Sequence, residues 1–185
     1  MATGGGFLTA CGDIALPGTQ HCQRHAPPYE LEADIRRLRF ELFTALWGDD
    51  WRGLEMGVAY LLQREGCGLV QRAGSSGDGG VDVAAFTPGA LLVAVQCKAY
   101  KSPVKPNAIQ AFHYATTNGW ESTLPYRRWR HPRPQLRTMA TTGGFGPAAR
   151  GVAGNEGIHL VDLDALANWE HYGMRLPAVL GLEDW

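Results

Sequence analysis

The feature that most constrains this chain is a pair of short apolar stretches, Val81–Phe86 and Ala90–Lys98, joined by Thr87-Pro88-Gly89. Small and β-branched residues on either side of a Pro-Gly turn read as the two strands of an antiparallel hairpin. Side chains alternate faces along a strand, so Val93, Val95 and Cys97 share one face while Gln96 and Lys98 share the other. Polar groups at the end of an otherwise apolar strand need partners or solvent. Asp82, between Val81 and Val83 on the paired strand, falls beside them. The hairpin therefore brings an acid, an amide oxygen and an ammonium to one edge.

The surrounding pattern sets the fold class. Leu54, Val58, Leu61 and Leu62 make an apolar stripe on a helix from about Trp51 to Glu65, with Gly48-Asp49-Asp50 as its cap and Gly66 as its stop. A strand around Cys67–Arg72 and a polar turn from Ala73 to Gly80 lead into the hairpin. Asn107 can cap a helix running to about Thr117. Leu136–Thr142 reads as a strand, Pro147 opens a helix, Ile158–Val161 reads as a second strand, and a helix spans about Leu163 to Tyr172. Strand, helix and strand at these lengths imply a right-handed crossover and a parallel pair. The expected fold is α/β, a mixed central β-sheet flanked by helices on both faces. Trp120–Pro134 is expected to be a loop. Upstream, Leu31, Ile35, Leu38 and Leu42 mark a helix from about Glu30 to Trp47. The expected domains are a Cys/His-rich segment at 1–28, an N-terminal helix at 29–50 and an α/β domain at 51–185.

No apolar run approaches the ~20 residues that span a bilayer, and the Gly-rich start Met1–Ala10 does not resemble a signal peptide. A soluble, cytoplasmic protein is the expectation. The four cysteines are not spaced as a secreted disulfide framework, and Cys67 and Cys97 suit reduced core positions. The formal net charge of −1 hides an asymmetry. Between Val83 and Asn155 lie nine basic residues and one acid, Glu121; the rest of the chain carries eight basic and seventeen acidic residues. Such a segment is either a solvated basic loop or a face that draws a polyanion.

Acid, amide oxygen and lysine together suit phosphodiester hydrolysis. Hard oxygen ligands hold Mg²⁺, which keeps several waters, lowers the pKa of one of them and offsets charge building on the phosphate. A lysine can orient the water or stabilise that charge. Glu55 precedes Val58, Ala59 and Leu62 by three, four and seven residues, so it borders the apolar stripe of its helix. It is either an acid at the edge of an amphipathic helix or a fourth member of the site.

Four blocks carry a family resemblance: Gly53…Glu55…Val58-Ala59…Leu61-Leu62…Gly66, then Gly77-Asp78-Gly79-Gly80-Val81-Asp82, then Gln96-Cys97-Lys98, then Thr141-Thr142-Gly143-Gly144-Phe145. In this order they resemble the catalytic domain of Mrr-type restriction endonucleases, within the PD-(D/E)xK nuclease superfamily, over roughly residues 51–170. The resemblance implies a restriction-endonuclease-like core and a metal-dependent DNA endonuclease acting in restriction of foreign DNA. Mg²⁺ is the implied cofactor, with Mn²⁺ able to substitute. Asp82 resembles the metal-binding acid and Lys98 the catalytic lysine. Gln96 stands where most of the superfamily has an acid, as is typical of the Mrr branch, and Glu55 supplies charge that the site would otherwise lack. Asp78 matches a position beside the site, as a metal contact or as a turn acid. Thr141 and Thr142 match the family's strand end before a helix, where hydroxyls and free N–H groups can hold a DNA phosphate or simply cap a turn.

Two departures stand out. Leu54 replaces the usual aromatic before the helix glutamate. The stretch carrying Tyr126, Trp129 and Arg127, Arg128, Arg130 and Arg133 exceeds the family's connection at that point; arginine with aromatic stacking suits DNA binding or strand separation. Other functional readings are a structure-selective nuclease of repair or recombination, or a DNA-binding module without turnover. A double-strand break needs two active centres, so a homodimer or a restriction-system partner is expected. At the N-terminus, Cys22 and His25 have the spacing of half a zinc site, to which Cys11 could add a third ligand. The position three residues before Cys11 is Leu8 rather than a cysteine, and His21 is an awkward fourth ligand for Zn²⁺. A degenerate knuckle or a flexible arm is the alternative.

Overall fold

The computed structural model of the chain describes residues 50–72, 80–124, 127–171 and 174–182, with isolated positions between 38 and 47. The chain divides into two units, residues 1–42 and 43–185. Helix α1 (Trp51–Arg64) begins where the sequence places it, because the Asp50 carboxylate accepts the Gly53 N–H at 2.7 Å. The chain leaves it through Gly66 at φ +82°, a conformation costly for any residue with a Cβ. Leu54, Val58, Leu61 and Leu62 are buried as their spacing predicts. Leu38, assigned to an upstream apolar stripe on the same reasoning, is exposed.

Five strands form one sheet in the order β1 (Gly68–Arg72), β2 (Val83–Phe86), β3 (Leu92–Lys98), β6 (Leu136–Thr141), β7 (Ile158–Val161). The first three are antiparallel to their neighbours; β3–β6 and β6–β7 are parallel. The crossovers carry α2 (Pro106–Thr117) and α3 (Pro147–Glu156), with α4 (Leu163–His171) and a short α5 (Leu176–Val179) following β7. Alternation splits the core into two layers. Ala84, Ala94 and Met139 face Ile109 and Phe112 of α2 and Ala149 and Ala153 of α3. On the other face Val93, Val95, Ala140 and Val161 meet Val58 and Leu62 of α1 and Trp169 of α4. The mixed sheet with helices on both faces is the fold that the sequence predicts. Among the described residues, no helix is long and apolar enough to cross a membrane.

The stretch Trp120–Pro134 is not a plain loop. It holds β4 (Trp120–Leu124) and β5 (Arg127–His131), an antiparallel pair separate from the main sheet. Its inward face is built from Trp120, Ser122 and His131, all buried. Trp120 and His131 stack at 4.4 Å, and His131 Nε2 hydrogen-bonds Ser122 Oγ at 2.7 Å. Burial on serine, histidine and tryptophan leaves no apolar alternation to read. Tyr126 lies outside the described residues.

Candidate active site

The β2–β3 ladder runs from Phe86↔Leu92 to Val83↔Val95 and then stops, so β2 begins two residues later than its composition suggests. Beyond that point side chains replace the ladder. The Asp82 N–H still reaches the Val95 carbonyl at 2.9 Å, but the Cys97 N–H donates to Asp82 Oδ2 at 2.7 Å. The Val81 carbonyl accepts from Gln71 Nε2 instead of from a strand amide. Val81 packs in the same layer as Ala84, three residues on, so strict alternation fails at Asp82. The carboxylate is thereby held at the end of β3, half-buried.

Gln96 is buried, and its amide lies against Gly80. A Cβ built on Gly80 would overlap Gln96 Nε2, and Gly80 also sits at φ +80°. The positive φ favours glycine there, which explains the last glycine of the Gly-Asp-Gly-Gly run. Lys98 closes β3, half-buried and paired in register with Thr141. Glu55 lies on the inward side of α1 at 3% exposure.

One buried group reports that these charges share a neighbourhood. The Cys97 thiol is pushed well above its ordinary pKa, first by burial and then by the Asp82 and Glu55 carboxylates, while Lys98 acts in the opposite sense. Asp82, Glu55 and Lys98, from three segments of chain, thus all act on the thiol of Cys97, whose N–H donates to Asp82 and which follows Gln96 in sequence. Among the described residues no three His, Cys, Asp or Glu side chains gather to hold a metal ion. The oxygen donors that the sequence singles out are the Asp82 and Glu55 carboxylates and the Gln96 amide. That suits a hard cation such as Mg²⁺, commonly bound through one or two carboxylates with water and phosphate completing its shell.

Thr141 does not offer a phosphate contact. Its side chain is fully buried; the hydroxyl donates to the Lys98 carbonyl at 2.6 Å and accepts the Gly143 N–H at 3.1 Å. The phosphate role expected for it is corrected on that ground: the hydroxyl staples the end of β3 to the end of β6. Thr142 is half-buried, with its hydroxyl 3.4 Å from the Tyr100 carbonyl. Arg130 and Arg133 are exposed; Arg130 makes a long ion pair, 3.9 Å, with Glu121 and donates to the Asn118 carbonyl at 3.4 Å. Arg127 and Arg128 lie on β5 opposite Leu124 and Thr123. Two other members of the basic segment are committed within the fold. Arg137 is buried with contacts to His113 and the Glu156 carbonyl, and Arg150 pairs with Asp162 at 3.0 Å. Asp78, Cys11, His21, Cys22 and His25 lie outside the described residues.

A family model for the Mrr catalytic domain, described as "Restriction endonuclease", matches residues 49–170, from the cap of α1 through α4. The chain belongs to the Mrr-type restriction endonuclease family. All four positions of the candidate site fall inside the matched range of this Mrr-type chain, and the Cys/His-rich segment at 1–28 falls outside it. No curated protein matches the sequence. Among solved structures it is similar to the MspJI restriction endonuclease in complex with a 27-mer oligonucleotide, at 19% identity and a TM-score of 0.45. That match covers 84% of this chain and 36% of the other, so the Mrr-type chain spans about a third of that enzyme's length.

Gln71 is a residue that sequence reasoning misses. It is buried, donates to the Val81 carbonyl and accepts the Trp120 indole N–H at 3.1 Å. In Gly68-Leu69-Val70-Gln71-Arg72, plain alternation would put Gln71 on the same face as Leu69. The register slips between Leu69 and Gln71, and a slip of that kind leaves no mark in composition.

Proposed function

We propose that this chain is a divalent-cation-dependent endonuclease that hydrolyses DNA phosphodiester bonds and acts in restriction of foreign DNA. The reading is supported by the Asp82 carboxylate, which accepts the Cys97 N–H beside Lys98 at the end of β3, within a chain of the restriction endonuclease family. Asp82 and Glu55, with the amide oxygen of Gln96, are the residues that would hold Mg²⁺, or Mn²⁺ in its place. The bound cation supplies an activated water and offsets the charge that grows on the phosphate. Because Gln96 contributes no charge, the site relies on Glu55 for its second carboxylate. Lys98 carries its ammonium to the same end of the strand, where it stabilises developing negative charge. Gly80 leaves room for the Gln96 amide beside the chain, and the Cys97 N–H holds Asp82 Oδ2.

Arg130 and Arg133, with Arg127, Arg128 and Thr142, are the groups we assign to DNA phosphates. Their contribution is positional and sequence-independent. Cleaving both strands requires a second copy or a partner protein. A supercoiled-plasmid assay with and without Mg²⁺ tests the reading. Cleavage is expected to need the cation and to vanish in Asp82→Ala and Lys98→Ala. Activity that survives EDTA or both substitutions would sink it. Parallel linear, base-modified and branched substrates separate restriction of foreign DNA from action on repair or recombination structures.

A further inference from the structure

We infer that Gln71 is a positioning residue for Asp82, aimed at its task by the irregularity in β1. In the β1–β2 ladder Leu69 opposes Ala85, and Gln71, not Val70, opposes Ala84. One residue is left over at Val70, which is the signature of a bulge. Residues directly opposite share a face. A regular strand would set Gln71 opposite Val83, on the α1 side of the sheet. The bulge turns it to the side of Ala84, where Val81 and Trp120 are packed.

On that side its amide has both ends engaged. The Trp120 indole N–H can only donate, so the oxygen of Gln71 must face it, and the 3.1 Å contact is to Oε1. The NH₂ end is therefore directed to the Val81 carbonyl, which it contacts. The amide orientation follows from the indole and leaves no freedom to turn over.

The peptide unit held in this way is the one that enters Asp82. Its C=O is fixed by Gln71 from β1, and its N–H is fixed by the Val95 carbonyl from β3. Pinned from both neighbouring strands, that peptide plane sets the direction of the Asp82 side chain where the ladder has already ended. The same amide links this peptide to the β4–β5 hairpin through Trp120 and its stacked partner His131. Gln71 touches neither substrate nor cation; it acts through Asp82.

This inference rests on the proposed metal role of Asp82, and the experiment separates the two. Mn²⁺ binding to the full chain without DNA is measured by calorimetry and electron paramagnetic resonance for the wild type, Asp82→Asn, Gln71→Met and Trp120→Phe. Gln71→Met keeps the length of the side chain and removes both hydrogen bonds. It is expected to weaken Mn²⁺ binding roughly 10-fold, the low end of what outer partners of metal ligands contribute. Near-UV circular dichroism is expected to stay like that of the wild type. Trp120→Phe keeps the ring against His131 but frees the amide to rotate, and a smaller loss is expected. It serves as the probe if Gln71→Met does not fold. Asp82→Asn that loses Mn²⁺ while both other variants bind like the wild type overturns the positioning role alone. A wild type that binds no Mn²⁺, or binds it no better than Asp82→Asn, overturns the metal reading of Asp82 and the inference together.

Discussion

Replacing Thr138 by valine should make this protein more stable. Thr138 lies on β6 opposite Val95 of β3, buried, and its hydroxyl has no hydrogen-bond partner among the described residues. It lines a cavity of about 10 Å³ whose other walls include Val58, Leu62, Val95, Ala140, Val161 and Trp169. A water held there would need two or more polar partners, and these walls offer only the threonine hydroxyl. Burying an unbonded hydroxyl costs roughly 1–3 kcal/mol in protein mutational data. Valine has the same branched shape and suits a strand equally, so it removes that cost without opening space. A gain of about 1 kcal/mol is expected, or roughly 2–4 °C in Tm for a chain of this size. Urea unfolding should show a higher midpoint with an unchanged slope. Thr138→Ser, which keeps the hydroxyl and deletes the methyl, should lose about 1 kcal/mol to the enlarged cavity. A Thr138→Val protein no more stable than the wild type would refute the reasoning, because it would show that the hydroxyl is satisfied in the fold.

Three further outcomes follow from the geometry. Burial pushes the His131 imidazole below its ordinary pKa, so the fold favours the neutral ring. The unfolded chain therefore takes up the proton first; stability is full above about pH 6.5 and falls as pH drops through that value toward the lowered one. Urea titrations between pH 5 and 8 should show this slope in the wild type and a shallower one in His131→Gln. The Cys67 thiol is pushed up to about 11 by burial and then by Glu65, and Cys97 is raised first by burial and then by the Asp82 and Glu55 carboxylates. At pH 8 roughly 0.1% of Cys67 would be thiolate, so alkylation mapped by mass spectrometry should leave both unmodified until the protein unfolds. Arg130→Ala and Arg133→Ala should each weaken DNA binding uniformly across sequences and reduce the slope of log affinity against log salt by about 1. An unchanged slope would remove that arginine from the DNA contact.

What could be read from the chain was whatever rests on periodicity and end signals. Helix α1 shows in its apolar spacing and in Asp50, and α3 in Pro147 at its start. Asp82, Gln96 and Lys98 show because polar residues interrupt an apolar strand, and Glu55 because it borders a buried stripe. Three things were hidden for physical reasons. The β4–β5 hairpin buries tryptophan, serine and histidine through stacking and a hydrogen bond, which no hydrophobic pattern records. The bulge at Val70 is a slip of register, decided by what Gln71 meets across the sheet and not by local preference. Thr141 has the residue type and placement of a phosphate ligand, yet parallel pairing with Lys98 turns its hydroxyl inward.

The pairing of β3 with β6 also bears on when the site comes into being. Lys98 and Thr141 are neighbours in space but 43 residues apart along the chain, and the β4–β5 hairpin and α2 lie between them. Closing so long a loop into a parallel pair is a slow kind of folding event, whereas the β2–β3 hairpin closes locally. A growing chain that has not yet reached Leu136 can bring Asp82 next to Lys98. It still lacks the strand against which the end of β3 is stapled. The centre is therefore assembled late, once the whole sheet has formed, and a partial chain carries its residues in order but not in place.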